Sequence, residues 1–88
     1  MNRVEAIRER LSNQLQPTQL DIVDESHLHA GHAGAASGAG HFAVTITSDV
    51  FNGKSLIEQH RLVYLAVNDL MKSEIHALSI KAIAADEN

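Results

Sequence analysis

Between residues 27 and 41 the chain reads His27-Leu28-His29-Ala30-Gly31-His32-Ala33-Gly34-Ala35-Ala36-Ser37-Gly38-Ala39-Gly40-His41, and two further histidines follow at His60 and His76. Imidazole is a ligand for borderline metals such as iron and zinc, and interspersed glycines let a backbone adjust to a metal or a partner. Cysteine is absent. Metal chemistry here must therefore use histidine together with ligands brought by a partner, and a Cys nucleophile, disulfides and a self-contained thiolate cluster are excluded. The His-x-His-x-x-His spacing alone does not make a closed zinc site, which needs four placed ligands and the hydrogen bonds that orient them. Two readings of His27, His29 and His32 stand: metal ligands, or a solvated loop that binds metal only adventitiously. His41 precedes an inward Phe42 and so faces the other side of its strand, as a structural or loop-closing residue. His60 lies on an apolar helical stripe, where a satisfied boundary histidine is the commoner case. For His76 the alternatives are an imidazole hydrogen-bonded at a strand start and a metal ligand.

The elements that must position these side chains follow from periodicity. Val4, Ile7, Leu11 and Leu15 recur at helical spacing until Pro17. Residues 20–24 read as a short strand, and residues 27–40 as a flexible Gly/His loop with neither period. Phe42, Val44 and Ile46 alternate with Ala43, Thr45 and Thr47, the period of a half-buried strand. Phe51-Asn52-Gly53 is a turn, and Ser55 with Glu58 forms a capping box for a helix carrying Leu56, His60, Val63, Val67 and Leu70 as its buried stripe, with Tyr64 and Met71 at its edge. Residues 75–83 form a last strand and residues 84–88 a frayed end. The order helix, strand, strand, helix, strand predicts an α+β fold, αββαβ, with helices on one face of a three-stranded sheet.

With 88 residues, 44% apolar and 20% charged, the chain is expected to be a single globular domain spanning 1–88. No apolar run approaches the roughly 20 residues that cross a bilayer, and the start lacks the apolar block of a signal peptide, so no membrane association and a cytoplasmic location are expected. The net charge of −4 weakens non-specific nucleic-acid binding, which depends on Lys and Arg displacing counterions. Arg3, Arg8 and Arg10 are interleaved with Glu5 and Glu9 as on a solvated helix face. Ser26 and His29 could pair as nucleophile and base, but no orienting acid or oxyanion motif accompanies them, so no enzymatic activity is expected.

Five segments in order, Asp24-Glu25-Ser26, the His/Gly loop closing in His41-Phe42, Phe51-x-Gly53, His60-Arg61-x-Val63-Tyr64 and Glu74-x-His76-Ala77-Leu78-Ser79-Ile80, resemble the BolA family over nearly the whole chain. The resemblance implies a class II KH-like αββαβ fold in which residues 51–71 are helix-turn-helix-like. It implies two functions. In the first, a BolA-like protein pairs with a monothiol glutaredoxin around a shared [2Fe-2S] cluster in iron-sulfur trafficking or iron regulation. The glutaredoxin and glutathione supply thiolates, and the BolA side supplies histidine. No cofactor is then expected in the isolated chain, which would be a monomer or weak homodimer. The resemblance makes His76 the cluster-facing residue and takes the second ligand from the loop, where His29 fits by spacing and His32 is its competitor. Imidazole in place of thiolate on one iron is the Rieske arrangement. In the second function, a stress-response regulator affecting cell morphology binds double-stranded DNA through the helix-turn-helix-like surface. Phe51, Gly53, Lys54, His60, Arg61 and Tyr64 form the expected partner or nucleic-acid surface here. Related sequences usually carry Arg at the position of Gln59, so one phosphate contact is lost, and three aromatics offer few stacking platforms.

Overall fold

The computed structural model describes residues 2–26 and 40–87. Along the chain come α1 (Arg3–Leu15), β1 (Gln19–Asp24), β2 (Gly40–Ser48), a 3-10 turn (Asp49–Phe51), α2 (Leu56–Ala66), α3 (Asn68–Met71), β3 (Ile75–Ala84) and a 3-10 turn (Ala85–Glu87). The Asn2 side chain accepts from the Glu5 N–H (2.8 Å) and caps the start of α1. At its end Gln16 takes a left-handed conformation (φ 46°) and donates to the Ser12 carbonyl. Pro17, without an N–H, prevents continuation.

The sheet has the order β1-β2-β3. β1 and β2 run antiparallel, and β2 and β3 run parallel, with α2 and α3 forming the crossover that a parallel pair requires. The register aligns Ile22, Val44 and Ile80 in one row and Asp24, Phe42 and Leu78 in the next. Ile7, Leu11 and Leu15 of α1 join Phe42, Val44, Ile46, Val63, Val67 and Leu70 in one core. The α+β architecture and three-stranded sheet agree with the periodicity.

Four details differ from expectation. The helical segment breaks at Val67 (φ −109°, ψ 17°) into α2 and α3, which places Asp69 against Arg10 of α1 (2.9 Å). The buried stripe of α2 starts at Gln59 rather than at Leu56, which is 65% exposed; the Gln59 amide donates to the Phe51 and Lys54 carbonyls (3.3 and 3.2 Å), so a polar residue is satisfied in the core. Phe51, expected on the partner surface, is completely buried because the 3-10 turn directs it inward. Residues 84–86, expected to fray, make contacts: Ala84 is buried at the end of β3, and the Asp86 N–H donates to the Asn52 side chain (3.2 Å). The capping box is as expected, with Ser55 N–H to Glu58 at 2.8 Å and Glu58 N–H to Ser55 at 3.2 Å, and it holds the Glu58 carboxyl below its ordinary pKa.

Ion pairs fasten α1 to the far side of the fold, Arg3 to Glu74 (2.7 Å) and Arg10 to Asp69. Hydrogen bonding from Arg10 lowers the Asp69 pKa. A folded value below the unfolded one means that this contribution is complete above about pH 4 and disappears as pH falls through the folded value. Asp69→Asn should therefore lower Tm slightly at neutral pH, with the variant and parent melting curves converging in acid; a gap that persists or widens in acid would contradict the pair.

Candidate metal centre and partner surface

The ends of all three strands meet around Gly40 and His41. Gly40 donates to the Glu74 carbonyl (3.1 Å), Glu25 to the His41 carbonyl (2.8 Å), and the His41 N–H to the Ser26 hydroxyl (3.1 Å). The Ser26 N–H in turn donates to Asp24 (2.9 Å). A side chain at Gly40 would lie 2.6 Å from Ser26 Oγ and 2.8 Å from the Phe42 ring. The hydroxyl can rotate away but the core phenyl ring cannot, so glycine is required for this close approach. Gly40→Ala should cost about 1–3 kcal/mol in urea denaturation, the usual range for overpacking; an unchanged midpoint would show that the corner yields.

The parallel register passes from Gly40 opposite Ile75 to His41 opposite Ala77, leaving His76 as the extra residue of a bulge. A bulge re-aims the side chain it carries, and His76 is exposed. The His41 side chain is buried, and its ring centroid lies 5.0 Å from that of His76, with the planes tilted by 49°. The expected ligand His76 is thus at the surface with a second imidazole beside it. His41 was assigned only a structural role from the sequence; the pairing depends on a bulged parallel register, and the one local signal is that each histidine directly follows the first residue of its strand. His27, His29 and His32 lie outside the described residues.

The second candidate surface is on α2. Lys54, Arg61 and Tyr64 are exposed and His60 is half-buried. Gly53 closes the turn at φ +74°, a conformation that favours glycine. Leu56, Ile57, His60, Arg61 and Tyr64 line a shallow groove of about 380 Å³. The Tyr64 hydroxyl donates to the Leu78 carbonyl (3.3 Å), so the groove borders β3, the strand that begins beside His76. Gln59 turns away from this surface to the Phe51 and Lys54 carbonyls and offers no phosphate contact. Among the described residues no helix is long and apolar enough to cross a membrane.

A mixed three-stranded sheet backed by helices, with an imidazole corner at the start of its parallel strands, places the molecule among small α+β folds. The chain belongs to the BolA family: the family model described as BolA-like protein matches residues 11–87. It is 48% identical over 81 residues to SufE-like protein 1, chloroplastic/mitochondrial, of Arabidopsis thaliana, covering 86% of this chain and 22% of that protein. It is 40% identical over 90 residues to Protein BOLA1, chloroplastic, of the same plant, covering 99% of this chain and 56% of that protein. The solved structure of BolA1 from Arabidopsis thaliana superposes with a TM-score of 0.85 at 40% identity, covering 100% of this chain and 97% of that one. The DNA-binding transcriptional regulator BolA of Escherichia coli (strain K12) is 35% identical over 83 residues, covering 94% of this chain and 76% of that protein. The chain therefore spans little more than half of one plant relative and less than a quarter of the other. These relatives are named as BolA-like, SufE-like or regulatory proteins.

Proposed function

We propose that this chain is a non-enzymatic adaptor that pairs with a monothiol glutaredoxin and shares a [2Fe-2S] cluster, with His76 as its principal ligand. The observation that carries the reading is the exposure of His76 at a bulge that opens β3. An imidazole there can reach a metal held by a partner without unfolding anything. The donor chemistry fits: this chain has histidine and no thiolate, and imidazoles on one iron with thiolates on the other form a known cluster type that raises the reduction potential. When bound, the cluster supplies electron or iron-sulfur transfer. The Gly40, His41 and Ser26 corner lies beside His76, whose ring centroid is 5.0 Å from that of His41. The groove on α2, with exposed Leu56, Ile57 and Tyr64, provides apolar area for the partner. His29 or His32 completes the ligand set in this reading.

Titrating the protein into a glutathione-ligated [2Fe-2S] monothiol glutaredoxin, followed by visible absorption and circular dichroism, tests it. A new spectrum that saturates at one to one supports the adaptor, and an unchanged spectrum overturns it.

A second reading, DNA binding, draws on the name of the Escherichia coli relative and on the exposure of Lys54 and Arg61. Against it stand the net charge of −4 and the inward Gln59. The segment also ends in a single turn of helix, α3, instead of a helix long enough to lie along a groove. If DNA is bound, Lys54→Ala and Arg61→Ala should each weaken affinity for duplex DNA and flatten its salt dependence; no binding at about 0.15 M salt would remove this reading.

A further inference from the structure

We infer that the sheet face turned away from the helices docks a second copy of this chain, forming a weak twofold dimer held by contacts between Asp21 and Lys81. Side chains alternate across a strand, and Ile22, Phe42, Val44, Leu78 and Ile80 all pack into the core with the helices. The residues between them point the other way. Asp21, Val23, Thr45, Ala77, Ser79 and Lys81 are exposed on this second face. The register sets Asp21, Thr45 and Lys81 in one row, so an acid on one outer strand and a base on the other flank a small neutral residue on the central strand. The two charges stand two strand spacings apart, about 9–10 Å, and neither joins an ion pair among the described residues.

This arrangement is self-complementary in one orientation. A twofold axis parallel to β2, midway between two stacked sheets, sets β1 of one copy over β3 of the other. Asp21 then faces the second copy's Lys81, Lys81 faces its Asp21, Val23 lies over Ser79, and Thr45 meets Thr45 on the axis. An axis running across the strands would instead stack Asp21 on Asp21 and Lys81 on Lys81, which like-charge repulsion opposes. Stacked sheets sit about 10 Å apart, a gap that a lysine and an aspartate reaching from opposite sides span. The small Ala43 and Thr45 of the central strand leave that approach open. Edge-to-edge pairing is disfavoured at both edges: β1 would bring together Asp21 and Asp24 of two copies, and on β3 the Leu78 carbonyl already accepts from the Tyr64 hydroxyl. With β1 only six residues long, the interface is at the small end of specific contacts, so the dimer is transient.

Because α2 packs on the opposite face, such a dimer leaves the α2 groove free, and its failure would leave the adaptor reading standing. Sedimentation velocity of the full chain from about 10 µM to about 1 mM should show monomer passing to dimer, with weaker association as salt rises. Asp21→Lys and Lys81→Asp each turn both ion pairs of the symmetric dimer into like-charge contacts, so each variant alone should self-associate at least about tenfold more weakly. Mixed in equal amounts, the two variants should form a heterodimer at least as tight as the parent dimer, because every acid then faces a base. Both positions are exposed, so the variants keep the fold, which far-ultraviolet circular dichroism checks. A parent chain that stays monomeric at about 1 mM would overturn the inference. So would a dimer that persists undiminished in either variant, or a mixture of the two variants that stays monomeric.

Discussion

Alanine at position 76 is expected to abolish the spectrum of a cluster shared with a glutaredoxin while leaving the free protein nearly as stable as before. His76 is exposed, and substitutions at such sites change stability by about 0.5 kcal/mol or less. For a chain of this size that corresponds to less than about 4 °C in Tm. The chemical consequence is of a different order, because the methyl group of alanine donates nothing to iron and no cysteine exists to replace the lost imidazole. Folding and cluster sharing should therefore separate cleanly in one variant. Melting measured beside visible circular dichroism checks both halves, and an intact shared-cluster spectrum would remove His76 from the site.

Phe51→Ala should produce the largest loss of stability among substitutions in the segment that carries the expected partner surface. The ring is fully buried in the core with Val63 and Val67, and its own carbonyl accepts hydrogen bonds from Lys54 N–H (3.1 Å) and Gln59. Truncating a buried phenylalanine costs about 3–5 kcal/mol, a large share of the 5–15 kcal/mol or so that holds a domain together. Urea denaturation should show this loss with little change in slope. A surface phenylalanine used for partner contact would cost almost nothing when removed from the free protein. A loss below about 1 kcal/mol would thus return Phe51 to the surface.

The difference between these two phenylalanine readings shows what periodicity can and cannot see. α1 and β2 were legible because Ile7, Leu11 and Leu15, and then Phe42, Val44 and Ile46, repeat at the period of their element, and burial follows that period. The capping box was legible because it is a local contract between Ser55 and Glu58. The buried stripe was read correctly at Val63, Val67 and Leu70 but not at its start, because hydropathy favours Leu56 over Gln59, whereas the fold satisfies the Gln59 amide with two turn carbonyls and leaves Leu56 in solvent. Phe51 was misplaced for a related reason: a three-residue 3-10 turn has no repeat from which to read a direction. At the candidate metal centre, the family resemblance singles out His76, but nothing in the sequence singles out its neighbour. His41 and His76 are 35 positions apart in sequence and meet only because β2 and β3 pair in parallel with a bulge at their start. No local pattern encodes that register. The break at Val67 likewise becomes meaningful only once Asp69 is seen to reach Arg10 across the fold.

In the proposed complex an imidazole of this chain binds the iron of a shared cluster. The measurement that tests it most directly is electron-nuclear hyperfine spectroscopy on the reduced complex with a monothiol glutaredoxin, with only this chain carrying ¹⁵N-histidine. A strong coupling to labelled nitrogen is expected, and it should be lost in His76→Ala. A complex that assembles with its cluster yet shows no coupling to the labelled histidines would contradict it.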